Sequence, residues 1–96
     1  MPMADSLFFA HHATDPYYNM AFDECMFAHA LNHPGALLVR LYTWQPGAIT
    51  FGFNQRRETA LDFDRLGQTP AIRRITGGRA VFHDVSELTY AVALNP

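Results

Sequence analysis

The 96 residues carry 9 acidic side chains against 7 basic ones, and 49% are hydrophobic while only 17% are charged, which describes one small domain with a modest core and excludes a disordered tail. A net charge of −2 without a basic run gives no footprint for nucleic acid, and so few charges suit an interior part of something larger. No apolar run is long enough to cross a bilayer, and the start lacks a basic segment followed by a greasy one, so the chain reads as cytoplasmic with no membrane partner. Its single cysteine, Cys25, excludes an intrachain disulfide and suits a reducing compartment. All seven basic residues are arginine, so the chain contains no lysine nucleophile.

In chain order, "LFFAHH" (7 to 12) reads as a first strand, in which His11 and His12 carry no readable signal. A helix follows from Asp15 to Leu31, with Asp15 as N-cap and Pro16 in the first turn. At 3.6 residues per turn, Tyr18, Ala21, Phe22, Cys25 and Ala28 share one apolar face, with Asn19 and Asp23 opposite. Cys25 is therefore expected to be a buried structural thiol, and the neighbours Asp23 and Glu24, about 100° apart around the axis, to be solvated or capping carboxylates. His29 and His33 have the spacing of metal ligands, but Pro34 follows at once and no third ligand is suitably spaced, so no metal site is assigned.

"NHPG" (32 to 35) stops the helix, and "ALLVRLYTW" (36 to 44) reads as a largely buried strand. "QPG" (45 to 47) is a turn into a partner strand, "AITFGF", which predicts a hairpin. One short helix is expected within 57 to 66, where Leu61 and Arg65, and Ala60 and Asp64, lie a turn apart, with Gly67 closing it. Strands follow at about 71 to 75, 80 to 84 and 88 to 94. The fold class is α+β, a mainly antiparallel sheet flanked by helices. The last strand leaves an open sheet edge, and too few helices exist to cover both faces, so the chain is expected to be a truncated or split domain. A homodimer or a second subunit would cover the exposed sheet.

The segment "RRITGGRAVFHD" (73 to 84) carries the chemistry. Gly77 and Gly78 permit backbone conformations closed to other residues and leave N–H groups open, which makes the turn a candidate nest for a carboxylate or phosphate. An ordinary hairpin with a Gly-Gly turn fits the same residues. Arg73 and Arg74 alternate along the strand before it, so one can clamp an anion while the other faces solvent or a carboxylate. His83, which shares a strand face with Val81, either lines the same pocket or serves as a satisfied structural histidine.

Three segments in order, "NMAFDE" (19 to 24), "LYTWQPGAITFGFNQ" (41 to 55) and "RRITGGRAVFHD", resemble the N-terminal part of the lipoate-protein ligase A family, in the biotin/lipoate A/B ligase superfamily. The resemblance spans about residues 14 to 94. It implies part of a class II synthetase-like biotin/lipoate ligase catalytic domain, with residues 1–96 as a single, incomplete, N-terminal portion. The implied activity attaches lipoate or octanoate to a lysine of a carrier domain, either the lipoyl domain of a 2-oxoacid dehydrogenase or the glycine cleavage H protein. In the ligases ATP, with Mg, activates the acid as acyl-adenylate. By residue-wise match, Arg74 and the segment Gly77, Gly78, Arg79, Ala80, Val81 and Phe82 would lie along the adenylate. Arg73 and His83 would sit near the acyl carboxyl end, and Met20, Phe22 and Trp44 would wall the hydrophobic tunnel.

Two departures matter. The ligase motif usually has a third glycine where this chain has Arg79, and "TGGRAV" with "ELTYAV" looks closer to the octanoyltransferase branch. Those enzymes take octanoate from acyl carrier protein through a cysteine thioester, without ATP. Arg79 either meets an anion or obstructs the nucleotide site, and the resemblance leaves ligase and transferase both open. In the family, the essential lysine or nucleophilic cysteine follows the last strand found here. No catalytic residue is therefore assigned, and the isolated chain is expected neither to form acyl-adenylate nor to transfer an acyl group. An acyl-binding module without chemistry and a truncated remnant are the remaining readings.

Overall fold

A computed structural model describes residues 6–96. The carboxylate of Asp15 accepts hydrogen bonds from the N–H groups of Tyr17 and Tyr18 at 2.8 and 3.2 Å, which starts α1 (Pro16–Leu31) where the sequence places it. Before it runs β1 (Ser6–Thr14), and after it β2 (Leu37–Trp44), β3 (Ala48–Phe51), α2 (Arg57–Ala60), α3 (Phe63–Leu66), β4 (Ala71–Arg73), β5 (Val81–His83) and β6 (Thr89–Leu94). The α+β class holds, but the strand pairing is mixed. In one three-stranded sheet, of order β1-β2-β6, β1 pairs parallel to β2, and β6 antiparallel. In the other, of order β4-β3-β5, β4 is parallel to β3 and β5 antiparallel. Parallel pairing of β1 with β2 needs a crossover, and α1 supplies it.

The expected hairpin does not form. Both edges of β2 are taken by β1 and β6, so the chain leaves the sheet after Trp44 and β3 joins the other one. The single short helix also divides: Leu61, 9% exposed, tucks in between two turns, and Asp62 starts the second by accepting from the N–H of Asp64 at 3.1 Å. Gly67 ends it at a positive φ of 56°.

The largest correction concerns which side of α1 faces inward. Pro16, Asn19, Met26 and Ala30 are buried, while Tyr18, Ala21, Cys25 and Ala28 are exposed. Cys25 is a free, exposed thiol rather than a structural one. Arg40, at the centre of β2 and 0% exposed, decides this. A buried guanidinium must be hydrogen-bonded. Asn19, one turn before Asp23, offers its side-chain oxygen at 2.6 Å and its main-chain carbonyl at 3.1 Å, while Asp23 lies 3.3 Å away. His11 completes the shell by accepting from Arg40 Nε at 2.9 Å. Turning the helix to bury its apolar residues would leave this charge without partners.

Helix α1 lies on the sheet face that carries Leu38, Arg40, Tyr42, Ala91 and Ala93, and closes two apolar clusters, one around Met26, Ala30 and Leu38 and one around Tyr42, Trp44 and Ala48. The opposite face is bare: Phe8, Leu37, Tyr90, Val92 and Leu94 are all exposed. A body measuring 56 × 27 × 15 Å has depth for a sheet and one helical layer only. Among the described residues, β6 is paired on one side alone, which matches the expected open edge. No helix there is long and apolar enough to cross a membrane.

Candidate functional site

Between α1, the inner face of the first sheet and the segment after β4 lies a cavity of about 350 Å³. Met20, Met26, Phe27, Trp44, Ala91 and Ala93 give it apolar walls, and Arg74, Thr76, His83 and Thr89 supply polar groups. That combination suits a ligand with an oily body and one polar end. Trp44, 1% exposed, fixes one wall, and the His83 ring stacks on its indole with centroids 4.2 Å apart.

Polar side chains run behind that wall in one connected series. Trp44 Nε1 donates to Thr89 Oγ1 at 2.9 Å, and Thr89 donates to the Glu87 carboxylate at 2.5 Å. The same carboxylate oxygen meets His83 Nδ1 at 2.7 Å, and His83 Nε2 meets Thr50 Oγ1 at 2.8 Å. Thr50 Oγ1 in turn accepts from Arg74 Nη1 at 2.8 Å. Burial opposes ionisation of Glu87, yet the hydrogen bonds from Thr89 and His83 together hold its carboxyl below the ordinary glutamate value of 4.5. A depressed folded-state pKa stabilises the fold above the unfolded value and loses that contribution on acidification. Urea unfolding at stepped pH is therefore expected to show native stability falling below pH 4.5, with a shallower fall for Glu87→Gln.

Arg74 also organises the glycine turn. Its Nη2 donates to the carbonyls of Gly77 and Arg79 at 2.8 and 2.9 Å, and its Nη1 to the Thr50 carbonyl at 3.0 Å. No N–H of residues 77 to 80 makes a hydrogen bond to another of the described residues. Such a run of open amides is what an anion or a polarised carbonyl needs. The two glycines differ in role. Gly78 has a φ of 98°, which favours glycine, whereas Gly77 has no positive φ and open space where a Cβ would go.

The cavity thus brings together Met20, Trp44, Arg74 and His83. Gly77, Gly78, Arg79 and Ala80 form the loop beside it, while Val81 and Phe82 lie exposed on β5 outside its lining. Phe22 does not wall the cavity: it packs edge-on to Phe9 at 5.0 Å and under the Arg40 guanidinium at 4.5 Å, because α1 turns its polar side inward. Arg73 is likewise elsewhere, with Nη1 donating to the carbonyls of Phe53 and Gln55 at 2.8 and 2.7 Å. Neither arginine is a free clamp, since extended backbone nearby offers carbonyls that must be satisfied.

Four contributors escaped the sequence reading: Asp23, Tyr42, Glu87 and Gly52. Asp23 lines the cavity rather than solvent, accepting from Tyr42 Oη at 2.8 Å. Burial pushes its carboxyl above the usual range, although Tyr42 and Arg40 pull it down. Burial and the adjacent Asp23 carboxylate push the Tyr42 phenol upward as well. Gly52 lies against the loop so closely that any Cβ there would stand 2.0 Å from the Gly78 carbonyl oxygen. A glycine inside the expected strand was the available signal, but nothing local says what approaches it.

The chain has relatives among known proteins. Residues 15–96 match the family described as the lipoyl protein ligase A/B catalytic domain. The chain is 43% identical over 90 residues to octanoyltransferase LipM of Macrococcus caseolyticus, a match covering 90% of this chain and 32% of that protein. It therefore spans about a third of that relative's length. Among solved structures, P. falciparum LipL1 in complex with lipoate aligns with a TM-score of 0.77 at 18% identity, covering 95% of this chain and 31% of that one. Lipoate-protein ligase A bound with ATP aligns with a TM-score of 0.74 at 24% identity, covering 94% and 36%. At those identities the structural likeness is one of fold. The match over residues 15–96, together with the relative's identity across most of the chain, means that this protein belongs to the lipoyl protein ligase A/B catalytic domain family.

Proposed function

We propose that this chain forms the acyl-binding part of an octanoyltransferase, the reaction in which an octanoyl group passes from acyl carrier protein to a lysine of a lipoyl carrier domain. The carrier would be the lipoyl domain of a 2-oxoacid dehydrogenase or the glycine cleavage H protein. The observation that carries the reading is an apolar cavity with Arg74, the residue that holds the Gly77 and Arg79 carbonyls, in its lining. Each methylene buried between Met20, Met26 and Trp44 contributes about 0.8 kcal/mol. Hydrogen-bond donors placed at the acyl oxygen would favour the negative charge that develops there as the carbonyl is attacked, and the Arg74 guanidinium is the donor nearest to that role in the lining.

The transferase is preferred over the ligase because the relative sharing 43% identity across most of this chain is named an octanoyltransferase. Arg79 in place of a third glycine supports the same choice. In this reading ATP and Mg have no part, and the acyl group rides on a thioester. The ligase reading, with lipoate or octanoate activated by ATP, draws support from the fold it shares with a ligase bound with ATP. No residue of this chain is assigned as nucleophile in either reading, and the domain organisation, 1–96 as an N-terminal portion of the catalytic domain, is part of the proposal.

Calorimetry with octanoate and with a non-hydrolysable octanoyl-adenylate analogue separates these readings. The transferase predicts that octanoate binds and that the adenylate moiety adds less than about tenfold in affinity. A gain of about 100-fold or more would favour the ligase. Failure of both ligands to bind would overturn the acyl-site reading.

A further inference from the structure

We propose that Glu87 is a positioning residue for the acyl site: it fixes the His83 tautomer, and through it the orientation of the Arg74-held loop. The inference rests on the acyl-site reading above. It follows from which groups can donate and which must accept. Two members of the series, the Trp44 indole N–H and the Arg74 guanidinium, can only donate. Thr50 Oγ1 accepts from Arg74 Nη1, and the buried Thr50 hydroxyl has His83 Nε2, 2.8 Å away, as the acceptor for its own proton among the described residues. His83 Nε2 must then be an unprotonated acceptor, which puts the ring proton on Nδ1, facing Glu87 at 2.7 Å. On the other branch Trp44 donates to Thr89, so the Thr89 hydroxyl proton also goes to Glu87.

Both donor chains therefore end on one carboxylate. Glu87 is the acceptor that gives each branch its direction, one running to the apolar wall at Trp44 and the other to the loop at Arg74. Thr50 is fully buried, so a reversed hydroxyl there would find no substitute partner in solvent. Without an acceptor at position 87, His83 has no reason to keep its proton on Nδ1. Protonation on Nε2 would aim a second N–H at Thr50 Oγ1 and leave the buried Thr50 hydroxyl proton without an acceptor, so that the hydroxyl must turn and disturb the Arg74 guanidinium that holds the carbonyls of Gly77 and Arg79. His83 itself acts through its ring face against Trp44 and through Thr50, since both of its nitrogens are engaged.

The ring tautomer is directly readable from long-range 1H–15N spectra of the 15N-labelled chain. Wild-type His83 is expected as the Nδ1–H form, with Nε2 unprotonated. Glu87→Ala is expected to convert it to a mixture rich in Nε2–H and to lower octanoate affinity about tenfold, the effect of one charge-assisted hydrogen bond. Glu87→Gln, which keeps an acceptor oxygen, is expected to retain the Nδ1–H form and serves if the alanine variant does not fold. A role confined to holding the turn would leave the tautomer of a folded alanine variant unchanged. Wild-type His83 in the Nε2–H form, a tautomer indifferent to Glu87→Ala, or an altered tautomer with unaltered octanoate affinity would each overturn the proposal. Absence of octanoate binding to the wild type would instead bring down the acyl-site reading, and the proposal with it, whatever the tautomer.

Discussion

Replacing Arg40 with alanine is expected to lower folding stability by about 3–5 kcal/mol, the usual penalty for removing one partner from a buried ion pair. The guanidinium is fully buried and donates to both oxygens of Asn19, to Asp23 and to His11. It also lies over the rings of Tyr42 at 3.9 Å and Phe22 at 4.5 Å. Truncation leaves the Asp23 carboxylate without its cation and Asn19 without a donor, in a place water reaches poorly. Small domains have only about 5–15 kcal/mol in total, so this one change brings the chain near unfolding at room temperature. Urea denaturation followed by circular dichroism measures the loss. Pairing Arg40→Met with Asp23→Leu should recover part of it, because the stranded charge is removed along with its partner. A loss below about 1 kcal/mol for Arg40→Ala would mean that the network is solvated.

Gly52→Ala is expected to weaken octanoate binding about tenfold or more, while Gly77→Ala leaves it close to wild type. The contrast is steric. A Cβ at Gly52 would stand 2.0 Å from the Gly78 carbonyl oxygen and 2.9 Å from its carbonyl carbon, both backbone atoms that no rotamer change can clear. The glycine loop must move, and the Gly77 and Arg79 carbonyls must leave Arg74. Overpacking of this kind lowers stability by about 1–3 kcal/mol, so folding is to be checked alongside binding. At Gly77 a Cβ would meet nothing within 4 Å. Equal affinity for the Gly52→Ala and wild-type chains in calorimetry would show that the loop is not the anion site.

Much of the fold was legible. The Asp15 cap, the proline in the first turn and the "NHPG" stop mark α1 to within a residue, because caps and breakers act over a few neighbouring positions. Strands β4, β5 and β6 appear where alternation and turn residues predicted them. The hairpin failed because a turn signal says that the chain reverses, not which edges remain free to pair, and both edges of β2 were taken by distant strands. The candidate site was legible in type more than in placement. Arg74, His83, Met20 and Trp44 do meet in one cavity, and Arg74 also holds the glycine turn, while Phe22 and Arg73 were drawn elsewhere by Arg40 and by unsatisfied carbonyls.

By itself, then, the sequence determined the class of fold, the order of its elements and the position of the glycine turn, since each depends on local dihedral preference, capping or alternation. The tertiary structure alone decided which face of α1 turns inward, that Asp23 lines a cavity, that Gly52 supports the loop and that Glu87 joins both donor chains. Each of these depends on a group distant in sequence that must be hydrogen-bonded or avoided in space. The buried charge at Arg40 is the clearest case: one residue's need for partners outweighed the apolar periodicity of a whole helix.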